Sequence, residues 1–228
     1  MRVLIVGVGR AGLDIAQHLS SSGHDVTILD RDRAVTERAS EQFGLVALTG
    51  DGTEATLLEE AEVGRADVVV AMLGRDADNL AVALLAQAAG VKRVMVRMRD
   101  KAYRQVYLSA GVDRLLSETD VLIGALGTAI EHEAVRHAVL LGNGESVAFE
   151  IALPVESPVA GRQVQEIASD PAFPRSCVFA GLYNADGTVE GPRGSSVVAG
   201  GATVLLVARR SELKLTIDFF MGTTARTA

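Results

Sequence analysis

Apolar residues along this chain follow two alternating rhythms. Short apolar runs, Val3-Leu4-Ile5-Val6, Val26 to Asp30, Leu45 to Thr49, Val68 to Leu73, Val94 to Met98 and Arg114 to Leu116, read as strands. Between them lie stretches that read as helices: Leu13 to Ser22, Arg33 to Phe43, Glu54 to Ala61, Asp78 to Ala89 and Ala102 to Ala110. Runs that are apolar at every position suit strands covered on both faces, because successive side chains point to opposite sides of a sheet. Strands and helices of these lengths taken in turn predict right-handed crossovers. The expected fold over residues 1–119 is therefore α/β, a doubly wound parallel sheet of about six strands.

The rhythm changes after residue 119. Residues 120–143 read as one connector helix, with Leu122, Ala125, Leu126, Ala129 and Ala138 forming an apolar stripe that ends at Gly142-Asn143-Gly144. Such a stripe is expected to dock on a neighbouring domain or subunit. Beyond it, Val147, Phe149, Ile151 and Leu153 alternate with small or polar residues, as in a half-buried strand. A loop over Pro154 to Gly161, a short helix over Arg162 to Ser169 and a strand over Cys177 to Tyr183 follow. A turn at Asn184-Ala185-Asp186-Gly187, a break at Gly191-Pro192-Arg193-Gly194 and a strand over Thr203 to Ala208 come next. The last element expected is an amphipathic helix, Ser211 to Phe220, with Ser211 as its cap. Residues 144–222 thus make a second, smaller α+β domain, too short for an ordinary dehydrogenase substrate domain.

Composition narrows the class. The 228 residues are 48% hydrophobic and 22% charged, with a net charge of −7. A surplus of apolar residues on an ordinary globular chain points to buried subunit contacts. The acidic balance, with no basic cluster, argues against nucleic acid as a partner, since phosphate neutralisation needs a basic face. No segment has the roughly 18 uncharged apolar residues of a membrane span. The single Cys177 excludes an internal disulfide framework, and the chain opens in a strand rather than a leader, so a cytoplasmic protein is expected.

The candidate chemistry sits at the first strand–helix junction. Gly7-Val8-Gly9-Arg10-Ala11-Gly12 follows the strand, and Asp30 ends the next strand 18 residues after Gly12. This is the order of a dinucleotide-binding βαβ unit, which makes the sheet a Rossmann sheet. Gly7 permits the tight turn, Gly9 lets the backbone approach a pyrophosphate, and Gly12 lets the helix pack closely. Phosphates then face the helix N-terminus, whose free N–H groups and positive dipole end favour an anion. Asp30 would accept from a ribose diol and repel a 2′-phosphate, favouring NAD(H) or an adenine mononucleotide, whereas Arg31 could accommodate that phosphate. Arg10 either pairs with the phosphates or is a solvated turn residue. Strand ends on the same sheet edge add Asp51, Thr53, Leu73, Gly74 and Arg97. Asp51 would accept from an adenine amino group or fix its own turn, and Thr53 would line the crevice or cap the following helix.

These motifs together resemble the cytoplasmic regulatory subunits of bacterial potassium-uptake systems, the Trk/Ktr family of RCK (KTN) proteins. The resemblance rests on Gly7 to Gly12, Asp30-Arg31-Asp32, Gly50-Asp51-Gly52-Thr53, Arg97-Met98-Arg99 and Gly111-Val112-Asp113. In the second half it rests on Ser157-Pro158-Val159-Ala160-Gly161 and Gly200-Gly201 through Val207. It reaches to about residue 220, with an N-terminal and a C-terminal domain of the TrkA type. Ser117-Glu118 and Gly200-Gly201 depart from the family's usual Pro-Glu and Gly-Asp. The resemblance implies a nucleotide sensor without chemistry of its own. Members bind NAD(H), ATP or ADP in the N-terminal crevice, and some bind cyclic di-AMP between C-terminal domains. They assemble as dimers that build tetramers or larger rings, and they gate a membrane potassium-translocating subunit from the inner face of the membrane.

The alternative is an NAD-dependent oxidoreductase. Hydride transfer wants an acid or base beside the nicotinamide. His18, His24, His132 and His137 lie on or beside helices in this reading, and neither Tyr103 nor Tyr107 is followed by a suitably spaced lysine. His132-Glu133 and His137 are five apart, so they would not share a helix face as metal ligands. No catalytic and no metal residue is expected.

Overall fold

The structure, a computed structural model, describes residues 1–183 and 188–223. It divides into two compact units, Met1–Glu118 and Thr119–Ala228. In the first unit the strands are β1 (Arg2–Val6), β2 (Asp25–Asp30), β3 (Val46–Thr49), β4 (Val68–Ala71), β5 (Arg93–Met98) and β6 (Arg114–Ser117). The helices are α1 (Gly9–Ser21), α2 (Arg33–Phe43), α3 (Ala55–Glu60), α4 (Asp76–Ala88) and α5 (Arg104–Ser109). All six strands are parallel, in the order β3-β2-β1-β4-β5-β6. The order reverses between β1 and β4, and a doubly wound sheet opens its crevice at that switch, outside the carboxyl ends of the strands.

Alternation along β1 explains why its run is apolar throughout. Leu4 and Val6 join one cluster with Leu58, Val82, Ala86 and Tyr107, while Val3 and Ile5 join another with Leu13, Ala16 and Ala39. Each face is covered by helices from Val3 to Val6, so those four positions leave no room for a polar side chain, whereas Arg2 at the strand's start is exposed. The first helix starts at Gly9, not Leu13, so most of the glycine motif forms its first turn. α2 is capped by Asp32, whose carboxylate accepts from Ala34 N at 3.0 Å. α3 is entered through Glu54, so Thr53 is not its cap.

The second unit is built on an antiparallel sheet, β10-β9-β11-β8-β7. Its strands are β7 (Val135–Leu141), β8 (Ser146–Ala152), β9 (Val178–Tyr183), β10 (Val189–Glu190) and β11 (Thr203–Arg209). Its helices include α8 (Val164–Ala168) and α9 (Leu213–Met221), and the inner sheet face packs Phe149, Ile151, Val204 and Leu206 with Ile167, Ile217 and Phe220. Phe173, Phe179, Phe219 and Phe220 meet largely edge to face, with centroids 5.5–6.2 Å apart in those pairs.

Residues 120–143 do not form a single helix. Helical structure runs through α6 (Glu118–Leu122), a π turn over Ile123–Gly127 and α7 (Thr128–Glu131), and stops at the extended His132. Val135–Leu141 is a strand instead, paired with β8 through the Gly142–Gly144 turn. Ala138 fits either period; the β-branched Val135 and Val139 and the tight glycine turn favour a hairpin. His137 is therefore a strand residue, with Nδ1 2.9 Å from Glu150 Oε2, and not part of a helix face. Leu122 and Leu126 of the expected stripe face outward, as does Ile130 beside them, which is 84% exposed.

One further expectation shifts. α9 starts at Leu213 without a side-chain cap, and Ser211 lies in a 3-10 turn over Arg210–Glu212. The turn expected at residues 184–187 lies outside the described residues. Among the described residues no helix is long and apolar enough to cross a membrane.

Cys177 is buried against the second core, and burial, followed by the nearby Glu212 charge, pushes its thiol up to about 12 from an ordinary 9.0. The folded value lies above the unfolded one. This contribution to stability is therefore complete below pH 9 and lost as pH rises toward 12. Two results are expected: a folded chain that resists thiol reagents at about pH 8, and a urea midpoint that falls above about pH 9 but does so less in Cys177→Ala.

Candidate functional site

The first unit carries a cleft of about 300 Å³ at the β1/β4 switch. Its lining comes from five places on the carboxyl edge of the sheet: the turn Gly7 to Ala11, Asp30 with Arg31, Gly50 to Gly52, Met72 to Arg75 with Asp78, and Arg97 at the end of β5. The structure brings Gly7, Val8, Gly9, Arg10, Ala11, Asp30, Arg31, Asp51, Leu73, Gly74 and Arg97 to this one cleft. Gly12 and Thr53 do not line it. Gly12 is buried within α1, where an added Cβ would lie 3.3 Å from Val8 Cγ1 and 3.4 Å from the Gly7 carbonyl oxygen. Thr53 acts through Asp51, as described below.

The turn is tight for a physical reason. Gly7 has φ +82°, and its N–H donates to the Leu29 carbonyl at 2.8 Å. A Cβ there would lie 2.7 Å from Leu73 N and 2.8 Å from Leu73 Cα. β1 therefore passes the end of β4 at a separation that only a glycine allows. Gly52 has the same function on the other flank, since a Cβ would come 2.2 Å from Val6 Cγ1.

Asp30 reaches back to the turn. Its Oδ2 accepts from Val8 N at 2.7 Å and from Gly9 N at 3.2 Å, while Oδ1 accepts from Asp32 N at 2.9 Å. α1 has no acidic residue in its own first turn, so the carboxylate of a neighbouring strand sits at its N-terminus. Asp51 fixes its own turn: its Oδ1 accepts from Thr53 N at 2.9 Å and from Thr53 Oγ1 at 2.7 Å. The Thr53 amide, then the Thr53 hydroxyl, hold the Asp51 carboxyl below its usual range, with Arg31 adding to this.

The other wall is braced by buried polar groups. Arg97 Nη2 donates to the carbonyls of Met72 (2.8 Å) and Leu73 (3.2 Å), and Nη1 stands 3.7 Å from Glu118 Oε2. Its Nε is buried without a hydrogen-bond partner among the described residues. Asn79, fully buried, accepts from Leu73 N and donates to the carbonyls of Leu73 and Arg97. Asp76, also buried, accepts from Arg99 N at 3.0 Å, Asp100 N at 2.9 Å and the Tyr107 hydroxyl at 2.9 Å. Burial first, and Asp76 next, drive the Tyr107 phenol strongly upward.

Sequence reasoning missed Gly50, Gly52, Met72, Arg75 and Asp78 in the lining, and the bracing pair Asp76 and Asn79. One signal was available for the pair: three polar side chains, Asp76, Asp78 and Asn79, open a helix that is then apolar up to Gln87. Arg10, Arg31, Arg75 and Arg97, from four separate segments, line the same cleft; the Arg97 guanidinium is taken up by the wall and Glu118, and the exposed Arg10, Arg31 and Arg75 suit an anionic ligand.

The family whose pattern matches this chain is described as the TrkA-N domain, and the match covers residues 3–118. Among similar proteins, a Trk system potassium uptake protein TrkA homolog from Methanothermobacter thermautotrophicus is 27% identical over 97% of this chain and its own entire length. Another TrkA homolog, from Archaeoglobus fulgidus, is 31% identical over 96% of this chain, which spans half of that protein. The Mycobacterium tuberculosis TrkA is 28% identical over 91% of this chain and 93% of its own. Of solved structures, the GsuK RCK domain superposes with a TM-score of 0.65 at 18% identity, covering 96% of this chain and 47% of that one. The GsuK channel bound to NAD gives the same TM-score over 39% of its chain.

Proposed function

The chain belongs to the TrkA-N domain family, and from that premise we propose that it is a nucleotide-sensing regulatory subunit that gates a membrane potassium-translocating partner. One observation carries the reading. At the β1/β4 switch, a glycine turn opening α1, the strand-end acid Asp30 and the exposed Arg10, Arg31 and Arg75 converge on one cleft. Backbone donors and guanidinium groups fit phosphates, and the acid fits a ribose hydroxyl. NAD(H), ATP and ADP share those parts. The GsuK relatives in fold are described as bound to NAD and to ADP, which supports this ligand class here.

The lining favours binding over catalysis. Among the described residues it holds arginines and aspartates but no His, Tyr or Lys to exchange a proton at a nicotinamide. Tyr107 is buried beneath the wall and already donates to Asp76. Among its described residues the second unit has a concavity of about 250 Å³ beside Tyr183, Glu190 and Gly200 to Thr203, and another of about 430 Å³ lined by His132, Arg210 and Lys214 among others. The former holds an acid and no cation, so of the two the latter better suits an anionic ligand such as cyclic di-AMP in the C-terminal domain.

Signalling follows as a population shift. A bound nucleotide changes an assembly only if it prefers one arrangement of subunits, by about 1–3 kcal/mol for ordinary coupling. The outward apolar side chains Leu122, Leu126 and Ile130 suit burial against a second copy, which supports a dimer that builds a tetramer or larger ring at the cytoplasmic face of the membrane.

Thermal unfolding of the whole chain against NAD, NADH, NADP, ATP and ADP tests the reading. A true ligand at 100 times its Kd adds about 2.7 kcal/mol, and Asp30→Ala should weaken it about tenfold. A flat response to every nucleotide overturns the proposal. Consumption of NADH together with a metabolite would turn it toward an oxidoreductase.

A further inference from the structure

We propose that Asp78, together with Arg75, selects a dinucleotide over a nucleoside triphosphate, by accepting from the second sugar of the one and repelling the third phosphate of the other. The inference rests on the nucleotide reading above and adds which member of that ligand class fits. It starts from strand order. Because β2, β1 and β4 are neighbours, the carboxyl edge of the sheet presents Asp30 after β2, the glycine turn after β1, and Leu73 to Asp78 after β4. A pyrophosphate at the turn therefore has an acid on either flank, one ending β2 and one in the first turn of α4.

The acids that line the cleft differ in what they have left to accept. Asp30 already takes the amides of Val8, Gly9 and Asp32, and Asp51 takes the amide and hydroxyl of Thr53. Asp78 is half-buried and accepts no hydrogen bond from the described residues; its Oδ1 stands 3.8 Å from Arg75 Nη1, beyond hydrogen-bond reach. Its acceptor positions are therefore open to a donor that enters the cleft.

The two ligands bring opposite chemistry to that flank. A dinucleotide lies across the crevice at the strand-order switch, so with one ribose at Asp30 its other ribose falls on the β4 side and offers hydroxyl donors. The phosphates of NAD are esterified on both sides and carry no P–OH. ATP has one sugar, and its third phosphate runs on toward the β4 side instead. A terminal phosphate loses its last proton near pH 6, so at pH 8 it has only acceptors and a like charge to set against Asp78. Arg75 would attract it, but the neighbouring carboxylate offsets that guanidinium, and Arg97 is committed to the wall. Loss of Asp78 should move the two affinities in opposite directions.

The experiment titrates NAD, ADP-ribose, ATP and ADP by calorimetry at pH 8 without divalent cations. The proteins are the full chain, Asp78→Ala, Asp78→Asn and, as a control for net charge, Asp14→Asn, which is exposed on α1 outside the cleft lining. In Asp78→Ala the ratio of NAD affinity to ATP affinity should fall by about fivefold or more, and ADP-ribose, which has the second sugar but no nicotinamide, should follow NAD. Asp78→Asn keeps an acceptor oxygen, so it should gain ATP affinity while losing less NAD affinity than Asp78→Ala. Folding of each variant is checked by its thermal transition. A smaller fall in a folded Asp78→Ala, an equal fall in Asp14→Asn, or ADP-ribose failing to follow NAD overturns the proposal. Should neither Asp78 variant fold, the unaltered chain decides: NAD should bind about fivefold or more tightly than ATP, and a smaller margin overturns the proposal. An unaltered chain that binds none of the four compounds fails the nucleotide reading instead, whereas binding of ADP alone fails only the selection.

Discussion

Replacing Gly7 with alanine is expected to destabilise the first unit by about 3 kcal/mol and to abolish measurable nucleotide binding. Two costs combine. At φ +82° an L side chain is strained by about 1 kcal/mol or more. The added methyl would also stand 2.7 Å from Leu73 N, a backbone atom at the end of β4 that cannot rotate away. Forcing such an overlap costs about 1–3 kcal/mol through shifted backbone. Gly9→Ala is the internal control. Its φ is also positive, at +48°, but nothing lies within 4 Å of the new Cβ, so only the conformational cost of about 1 kcal/mol should appear. Urea unfolding of the two variants, followed by a ligand titration, checks the contrast. Equal losses would show that the approach of β1 to β4 is less tight than described.

Asp76→Ala should cost a similar amount by another route. The carboxylate accepts from Arg99 N and Asp100 N, and its removal leaves two part-buried backbone donors without that acceptor, at about 1–3 kcal/mol each. Tyr107 is less affected, because its hydroxyl also donates to the Asp76 main-chain oxygen at 2.8 Å. The expected loss is about 3 kcal/mol, and Asp76→Asn, which keeps one acceptor oxygen, should lose about 1 kcal/mol. Ligand affinity should fall with it, since the Leu73 to Arg75 wall of the cleft leads directly into Asp76. Denaturant melts with a paired binding isotherm test both points; a variant as stable as the parent would remove Asp76 from the brace.

Much of the first unit can be read from sequence because its strands are buried on both faces. Val3 to Val6 and Val68 to Ala71 leave no polar position, and the glycines at 7, 9 and 12 with an acid at 30 occur in few other settings. The hairpin after residue 131 was harder to read. Ala138 suits a helical and a strand period equally, and only pairing with β8, a long-range contact, resolves it. The bracing groups escaped for a related reason. Nothing local in Asp76 or Asn79 shows that their partners lie on the loop after β5 and at the end of β4. Asp30 was found for its position, but its hold on the turn amides depends on how β2 and α1 pack.

The strand order bears on the birth of the molecule. β1 precedes the other five strands of its sheet in the chain and lies near the sheet's centre, and one of its two neighbours, β4, pairs Val3 with Val68, 65 positions later. At about 5–20 residues per second, the ribosome leaves one edge of β1 open for several seconds before that neighbour is made. An apolar strand with an unpaired edge is a template for association with other chains. The nascent polypeptide therefore has the most need of chaperone cover before β4 emerges, and a nucleotide can offer no protection in that interval because the Leu73 wall of its cleft has not yet been translated.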